Sequence, residues 1–256
     1  MFPLKDNIPT RRPAYLTIAL IVANAVVYLL QIRGGGTLFG GPSQHTVVNW
    51  GVIPYEVTHP GDHCDLVQAQ VVCEGQPGVT GQAEAQPATW ITVFSSMFMH
   101  GSLLHIGGNM LCLWIFGNNV EDAMGHVRFL IFYVLCGVVA VFSQVLPNPG
   151  SITPMVGASG AISGVLGAYM LLYPRARVLL GLPVGFLIIQ LGRFPALWVL
   201  AAWFVLQLVM GSISATEIPG RTEGKIAFGA HIGGFVAGLL LVTFFKRRGV
   251  PLWRRH

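Results

Sequence analysis

Residues 155–173 read MVGASGAISGVLGAYMLLY and contain no charged side chain in nineteen positions. This length lies within the range of about 17–25 residues that a membrane-spanning helix needs. Ser159 stands near the start of the stretch. Polar side chains are costly inside membrane helices, so a serine placed there is a candidate functional residue.

The whole chain has the same apolar character. Its 256 residues are 53% hydrophobic and only 10% charged, whereas soluble domains carry about 25% charged residues. The formal net charge of +5 is modest and does not indicate a nucleic-acid partner. The composition predicts an all-α polytopic membrane protein whose main surroundings are the lipid bilayer.

Six apolar runs are long enough, or nearly long enough, to cross a membrane. The second run is short, and residues 93–99 could extend it upstream. A seventh run, 178–191, has only about 14 residues and contains Pro183, which favours an interfacial or re-entrant segment over a span. The six predicted spans are residues 14–32, 102–117, 127–146, 155–173, 194–213 and 226–245.

The basic residues predict the orientation of these spans. With six spans and a cytoplasmic N-terminus, twelve of the fifteen Lys and Arg residues face the cytoplasm, and only Arg33, Arg221 and Lys225 face outward. This is the distribution that the positive-inside rule favours. We therefore expect cytoplasmic termini in the plasma (inner) membrane. The predicted parts are an N-terminal segment 1–13, a six-helix domain 14–245 and a basic tail 246–256.

The first outward loop, residues 34–92, is polar and holds Cys64 and Cys73. An oxidising compartment outside the cytoplasm would permit a disulfide between them. Metal binding together with His63 is the alternative, although the spacing matches no usual zinc pattern. The sequence alone leaves both interpretations open.

Polar residues gather at the outer ends of the second, fourth and sixth runs, which all cross in the same direction. His105 and Asn109 are spaced i,i+4 and share one helix face. Ser159 and His231 lie a few residues below the outer surface, at similar depths. A serine beside a histidine is the arrangement of a nucleophile and its general base.

Glycines line the two runs that carry this serine and this histidine. Small residues at spacings of four allow helix backbones to approach closely in lipid. Gly234 and Gly238 lie on the same face of the sixth run as His231. This pattern predicts that the fourth and sixth helices pack against each other.

These motifs resemble the rhomboid family of intramembrane serine proteases. The resemblance covers nearly all of the chain except the first loop. It is carried by residues 100–109 (HGSLLHIGGN), 157–160 (GASG) and 230–238 (AHIGGFVAG).

The resemblance implies a six-transmembrane-helix rhomboid fold and a role for each site residue. Ser159 would be the nucleophile and His231 its general base, with no cofactor and no metal. His105, Asn109 and the Ser159 backbone N–H would form the oxyanion hole. The substrates would be single-pass membrane proteins. The supporting residues would be His100, Gly157, Gly160, Gly234 and Gly238.

Two positions depart from the family pattern. Ser163 stands one turn after Ser159, where many members have an aromatic ring that stacks on the histidine. Trp90 is followed by Ile91 rather than by the arginine that many members carry. The sequence therefore does not show what orients His231.

Two other functions compete with proteolysis. A rhomboid-like protein could bind membrane helices without cutting them. An intramembrane haem or metal protein could use His100, His105 and His231 as ligands, but that reading leaves Ser159 and Asn109 unexplained.

Overall fold

A computed structural model describes residues 2–185, 187–215 and 227–254. These residues form ten α-helices and five β-strands. The helices are α1 Tyr15–Arg33, α2 Gln44–Trp50, α3 Pro54–Thr58, α4 Thr89–Ser95, α5 Leu103–Cys112, α6 Asn118–Met124, α7 His126–Val145, α8 Ser159–Leu172, α9 Ala196–Ala215 and α10 Phe228–Phe245. The strands are β1 Phe2–Lys5, β2 Cys64–Val67, β3 Gln70–Cys73, β4 Arg177–Val184 and β5 Leu187–Pro195.

Four of the described helices, α1, α7, α9 and α10, are long and apolar enough to cross a membrane by length and composition. They coincide with four of the six predicted runs. The second run is interrupted, because α5 passes through a π-helical segment, Leu113–Gly117, into α6. The fourth run forms α8, whose 14 residues extend about 21 Å at 1.5 Å per residue, which is shorter than a typical bilayer core.

The described chain is mostly helical, but the expectation of an all-α protein is wrong in two regions: the first loop contains the β2–β3 hairpin, and the seventh apolar run is an antiparallel hairpin. Strands β4 and β5 pair along their length, and β1 joins them in the order β1-β4-β5. A run of about 14 apolar residues cannot be assigned to helix or strand by periodicity alone. Pro183 also disfavours a helix interior here.

The predicted upstream extension of the second span is also wrong. Residues 93–99 belong to α4 and to a short 3₁₀ turn, Ser96–Phe98, that follows it. Helix α5 then starts separately, and the Ser102 side chain caps it by accepting a hydrogen bond from the His105 N–H at 3.2 Å. Such a cap satisfies one of the free N–H groups at a helix start.

Helix α8 is the centre of the bundle, and nearly all of its side chains are buried. A helix that is apolar on every side lies in a protein core or in lipid, and the burial of α8 places it in the core of this bundle. Helices α7 and α10 pack on α8 through small residues. A Cβ atom added to Gly238 would lie 2.6 Å from the Gly164 carbonyl carbon, so the α8 and α10 backbones are in direct contact.

The first and last described segments meet on the same side of this bundle. The Arg11 N–H donates to Asp122 Oδ2 at 3.0 Å, and the Arg247 N–H donates to the carbonyl of Ala123, its neighbour, at 3.0 Å. The Trp253 N–H donates to the Leu171 carbonyl at the end of α8. The predicted outward-facing Arg221 and Lys225, and Arg255 of the tail, lie outside the described residues.

The first loop packs on the opposite end of the bundle, where α8 begins. A disulfide joins Cys64 and Cys73 across the β2–β3 hairpin, which decides between the two interpretations left open by the sequence. Val52 and Met155 exchange both backbone hydrogen bonds, at 3.1 and 2.9 Å. The loop is therefore attached to the segment that leads into Ser159.

Candidate active site

Ser159 is the first residue of α8. Its N–H has no carbonyl partner within the helix, since the first N–H groups of every helix are left free. Gly157, two residues earlier, has a φ of +133°, a backbone conformation that favours glycine. The Gly157 N–H donates to the Ser96 carbonyl at 2.8 Å, which anchors the turn before the serine.

His231 reaches Ser159 from α10. Its Nε2 lies 2.7 Å from Ser159 Oγ, although 72 positions separate the two residues. The contact depends on glycine, because a Cβ atom on Gly234 would lie 2.9 Å from the carbonyl carbon of Gly160. The structure thus brings together the serine and histidine that the sequence singles out. The helices that carry them meet along a glycine seam, formed by Gly160 and Gly164 of α8 and Gly234 and Gly238 of α10.

Gln207 of α9 holds the other side of this imidazole. Its Oε1 lies 2.8 Å from His231 Nδ1, and its side chain is buried. An amide oxygen only accepts hydrogen bonds, so Nδ1 carries the proton and the Nε2 lone pair faces Ser159. Trp203, one turn earlier, places its ring 6.0 Å from the imidazole, centre to centre.

The motifs quoted above do not point to Gln207. One feature of the sequence could have indicated this residue: Gln207 is the only amide side chain in the apolar run 194–213. An amide is expensive in such a helix unless it has a partner. At Ser163, where an aromatic ring was expected, the hydroxyl instead donates to the Ser159 carbonyl at 2.6 Å.

His105 lies on the far side of the serine. A Cβ atom on Gly157 would be 2.9 Å from His105 Nε2 and 3.5 Å from Ser159 Oγ, so both side chains border Gly157. The Gly101 N–H donates to His105 Nδ1 at 3.4 Å. In a neutral ring the proton is then on Nε2, the nitrogen that faces Gly157.

Asn109 follows one turn after His105 on the same helix. It is only 8% exposed, and its Nδ2 has no hydrogen-bond partner within the described part of the chain. A buried donor without a partner costs about 1–3 kcal/mol. Such a group is available to an anion that enters the site.

His100 is fully buried behind this helix. Its ring meets the His105 ring edge-on at 5.1 Å between centres, and its backbone N–H donates to Gln31 Oε1 of α1 at 3.2 Å. His100 thus contacts both His105 and α1, and its supporting role stays a prediction.

A small cavity of about 40 Å³ ends at Ser159. Met97, Val141 and Met155 contribute apolar walls to it. A space of this size accommodates a water molecule. Met155, which lines this cavity, is the residue whose backbone is hydrogen-bonded to Val52 of the first loop.

The alternative of a haem or metal site does not match the position of His231. Both of its ring nitrogens are engaged, one with Gln207 and one with Ser159. Binding a metal would require one of these contacts to break.

The described helices form an apolar bundle with helices long enough to cross a membrane. A serine and a histidine are in side-chain contact at one end of its central helix. A family model for the Rhomboid domain matches residues 87–248, well over half of the chain. The chain therefore belongs to the rhomboid family, as its motifs predict.

Curated relatives share this region. The chain is 29% identical to Rhomboid protein 1, mitochondrial, of Saccharomyces cerevisiae over 61% of its length and 42% of that protein. It is 31% identical to the human Presenilin-associated rhomboid-like protein, mitochondrial, over 58% of its length and 36% of that protein. It is 28% identical to Rhomboid protease GluP of Bacillus subtilis over 61% of its length and 24% of that protein. The matches thus span less than half of each relative.

These names correct the predicted location. The yeast and human relatives are both named mitochondrial, so the expectation of a plasma (inner) membrane protein is wrong. The basic residues in the loops report which side of a membrane a segment faces, but they do not distinguish one membrane from another.

Proposed function

We propose that this protein is an intramembrane serine endopeptidase, with Ser159 as nucleophile and His231 as general base. The observation that carries the proposal is the 2.7 Å contact between Ser159 Oγ and His231 Nε2. This distance lies within the range for a nucleophile and its base. Membership of a family that includes a named rhomboid protease supports the same reaction.

In the first step, Ser159 Oγ attacks the carbonyl carbon of a peptide bond while His231 Nε2 takes its proton. The carbonyl oxygen becomes an oxyanion. The Ser159 N–H, His105 Nε2 and Asn109 Nδ2 donate hydrogen bonds to it. Each such donor typically contributes about 2.7–4 kcal/mol to lowering the barrier. The imidazolium then gives its proton to the leaving amine, which leaves an acyl ester on Ser159.

In the second step, a water molecule replaces the departed amine. His231 removes a proton from this water, and the water oxygen attacks the ester carbon. The bond from that carbon to Ser159 Oγ then breaks, the imidazolium returns its proton to Ser159 Oγ, and the second product leaves with a new carboxyl group. The small cavity beside Ser159 can hold such a water. No metal and no cofactor takes part in this sequence.

Gln207 is the residue that orients the base in this proposal. It fixes the proton on Nδ1 and accepts the hydrogen bond from that nitrogen when the ring becomes positively charged. Trp203 limits the rotation of the ring from the same helix. Together they take the place of the aromatic neighbour that the sequence lacks at position 163.

The substrates would be single-pass membrane proteins, cut near the side of the membrane that the first loop faces. A peptide bond can reach Ser159 only if its helix locally unwinds, because helices in lipid satisfy their own backbone groups. Six crossings with both termini on one side remain our topology, supported by the shared contacts of Arg11 and Arg247. The relatives' names support a mitochondrial membrane as the location.

The test compares three variants on a transmembrane substrate in reconstituted vesicles. Ser159→Ala and His231→Ala should each abolish cleavage, and the double variant should be no worse than either, since residues that act as one unit lose function together. Ser163→Ala is the matched control, because it removes a hydroxyl one turn away in the same helix and should keep most activity.

Labelling by a fluorophosphonate probe distinguishes an enzyme from a catalytically inactive helix binder. The wild type should be labelled at Ser159, and His231→Ala should not. Continued proteolysis by Ser159→Ala would overturn the proposal. A folded wild type that binds substrate helices without cutting them or reacting with the probe would identify it as the binder.

A further inference from the structure

An open cavity lies far from Ser159, on the side where the first and last segments meet. Its volume is about 580 Å³. One wall is the three-stranded sheet and another is the π-helical segment at Trp114 and Ile115. The mechanism proposed above makes no use of this space.

Three basic side chains from three strands share the face of the sheet that borders this cavity. Lys5 of β1 pairs with Leu179 of β4, and Leu179 pairs with Arg193 of β5. Arg193 lies directly opposite Leu179 and projects to the same face, and so does Arg177, two positions from Leu179. The β1 register is irregular at Lys5, but Lys5 lines the same cavity as Arg177 and Arg193. The opposite face is apolar, since Val178 is fully buried in the core.

These three cations are not held in ion pairs anywhere in residues 2–185, 187–215 and 227–254, although the charge of Lys5 acts on the neighbouring Asp6. The nearby Asp6 is engaged elsewhere, because its Oδ2 accepts hydrogen bonds from Tyr169 Oη at 2.5 Å and from Asn119 Nδ2 at 2.8 Å. Burial raises the pKa of its carboxyl, while the hydrogen bond from Tyr169 and the charge of Lys5 oppose that shift.

The tip of the β4–β5 hairpin extends beyond this basic face and is apolar on both sides. Leu187, Ile188 and Ile189 are consecutive, so they face alternate sides of the strand, yet they are 72%, 54% and 49% exposed. A hairpin in water buries one of its faces. One in the hydrocarbon core would leave unpaired edge groups without partners. At the boundary between headgroups and acyl chains, lipid can cover the apolar side chains while water and headgroups supply hydrogen-bond partners to the strand edges.

We propose that this cavity binds the phosphate of an anionic phospholipid, with Lys5, Arg177 and Arg193 around the headgroup and the acyl chains along the hairpin tip. The charge of the site and the apolar surface next to it fit one amphipathic ligand. Basic residues that only set the orientation of the membrane spans can lie anywhere along the cytoplasmic interface. Three of them converging unpaired on one cavity fit recognition of an anion.

The experiment measures binding of tail-labelled phosphatidylglycerol to the whole protein in phosphatidylcholine nanodiscs. A hydrogen bond from a cationic side chain to the bound phosphate should contribute at least about 1 kcal/mol, or roughly a fivefold change in affinity, beyond the general attraction of the membrane surface. The variant Lys5→Gln/Arg177→Gln/Arg193→Gln should therefore bind on the order of 100-fold more weakly. The single variant Arg193→Gln should lose about fivefold, which keeps the test usable if the triple variant does not fold.

The matched control removes three exposed cations from the same side but outside the cavity, as Arg12→Gln/Arg128→Gln/Arg248→Gln, and should bind nearly as wild type. Equal loss in both triple variants would overturn the proposal, because it would show general surface attraction. Competition by free inorganic phosphate as effective as by the unlabelled lipid would overturn the lipid as ligand. Cleavage activity is not the readout, so the result is independent of the proposed protease function.

Discussion

Gly238→Ala is the substitution that tests most directly how the glycine seam builds the site. The new Cβ would lie 2.6 Å from the carbonyl carbon and 2.7 Å from the Cα of Gly164. Carbon atoms in contact prefer about 3.5–4.0 Å. Since both neighbours are backbone atoms, no side chain can rotate away, and α8 and α10 must separate by about 1 Å.

This separation has two measurable costs. Overpacking typically costs about 1–3 kcal/mol, and the better helix propensity of alanine returns up to about 1 kcal/mol. The net loss of roughly 1–2 kcal/mol should lower the melting temperature by about 2–8 °C. The Ser159–His231 distance would also grow beyond hydrogen-bond range, and a misplacement of 1 Å can cost about 10²-fold in rate.

Thermal unfolding in detergent and substrate cleavage in vesicles measure the two effects separately. Gly108→Ala is the control for unfolding, because a Cβ atom there meets nothing within 4 Å although the residue is also helical. It should melt at or slightly above the wild-type temperature. The reasoning is refuted if Gly238→Ala unfolds and cleaves like wild type, or if Gly108→Ala is destabilised equally.

Three further predictions concern contacts that fix other parts of the structure. Gln207→Leu should lower the cleavage rate with little change in substrate binding, whereas Gln207→Glu keeps an acceptor for His231 Nδ1 and should be less impaired; equal rates in both variants would contradict the orienting role. Glu121 is 1% exposed and accepts hydrogen bonds from the Thr17 N–H and hydroxyl at 2.7 and 2.6 Å. Glu121→Ala should therefore destabilise the bundle by about 1–3 kcal/mol, because the buried Thr17 donors lose their acceptor, and an unchanged melting curve would show that α1 does not depend on it. Cys73→Ser should remove about 2–3 kcal/mol of local loop stability and expose the β2–β3 hairpin to limited proteolysis, while melting of the helices stays as in wild type.

Local patterns in the sequence predict much of this protein correctly. Apolar length alone locates α1, α7, α9 and α10 to within a few residues, because burial in lipid depends on the sum of hydropathy over about 20 positions. The cost of polar groups in such helices singles out Ser159 and His231 without any knowledge of their distance. The glycine spacing correctly predicts that α8 and α10 pack against each other.

What only the tertiary structure decides are the pairings between distant segments. The Nδ1–H of a histidine can donate a hydrogen bond to any acceptor that the fold brings near. No local pattern therefore links His231 to Gln207, which lies on a different helix. The run 178–191 is apolar enough for a helix or a strand, and the pairing of β4 with β1, more than 170 residues apart, selects the strand. Hydropathy is a property of each segment, whereas hydrogen-bond partners and sheet edges are properties of the assembled chain.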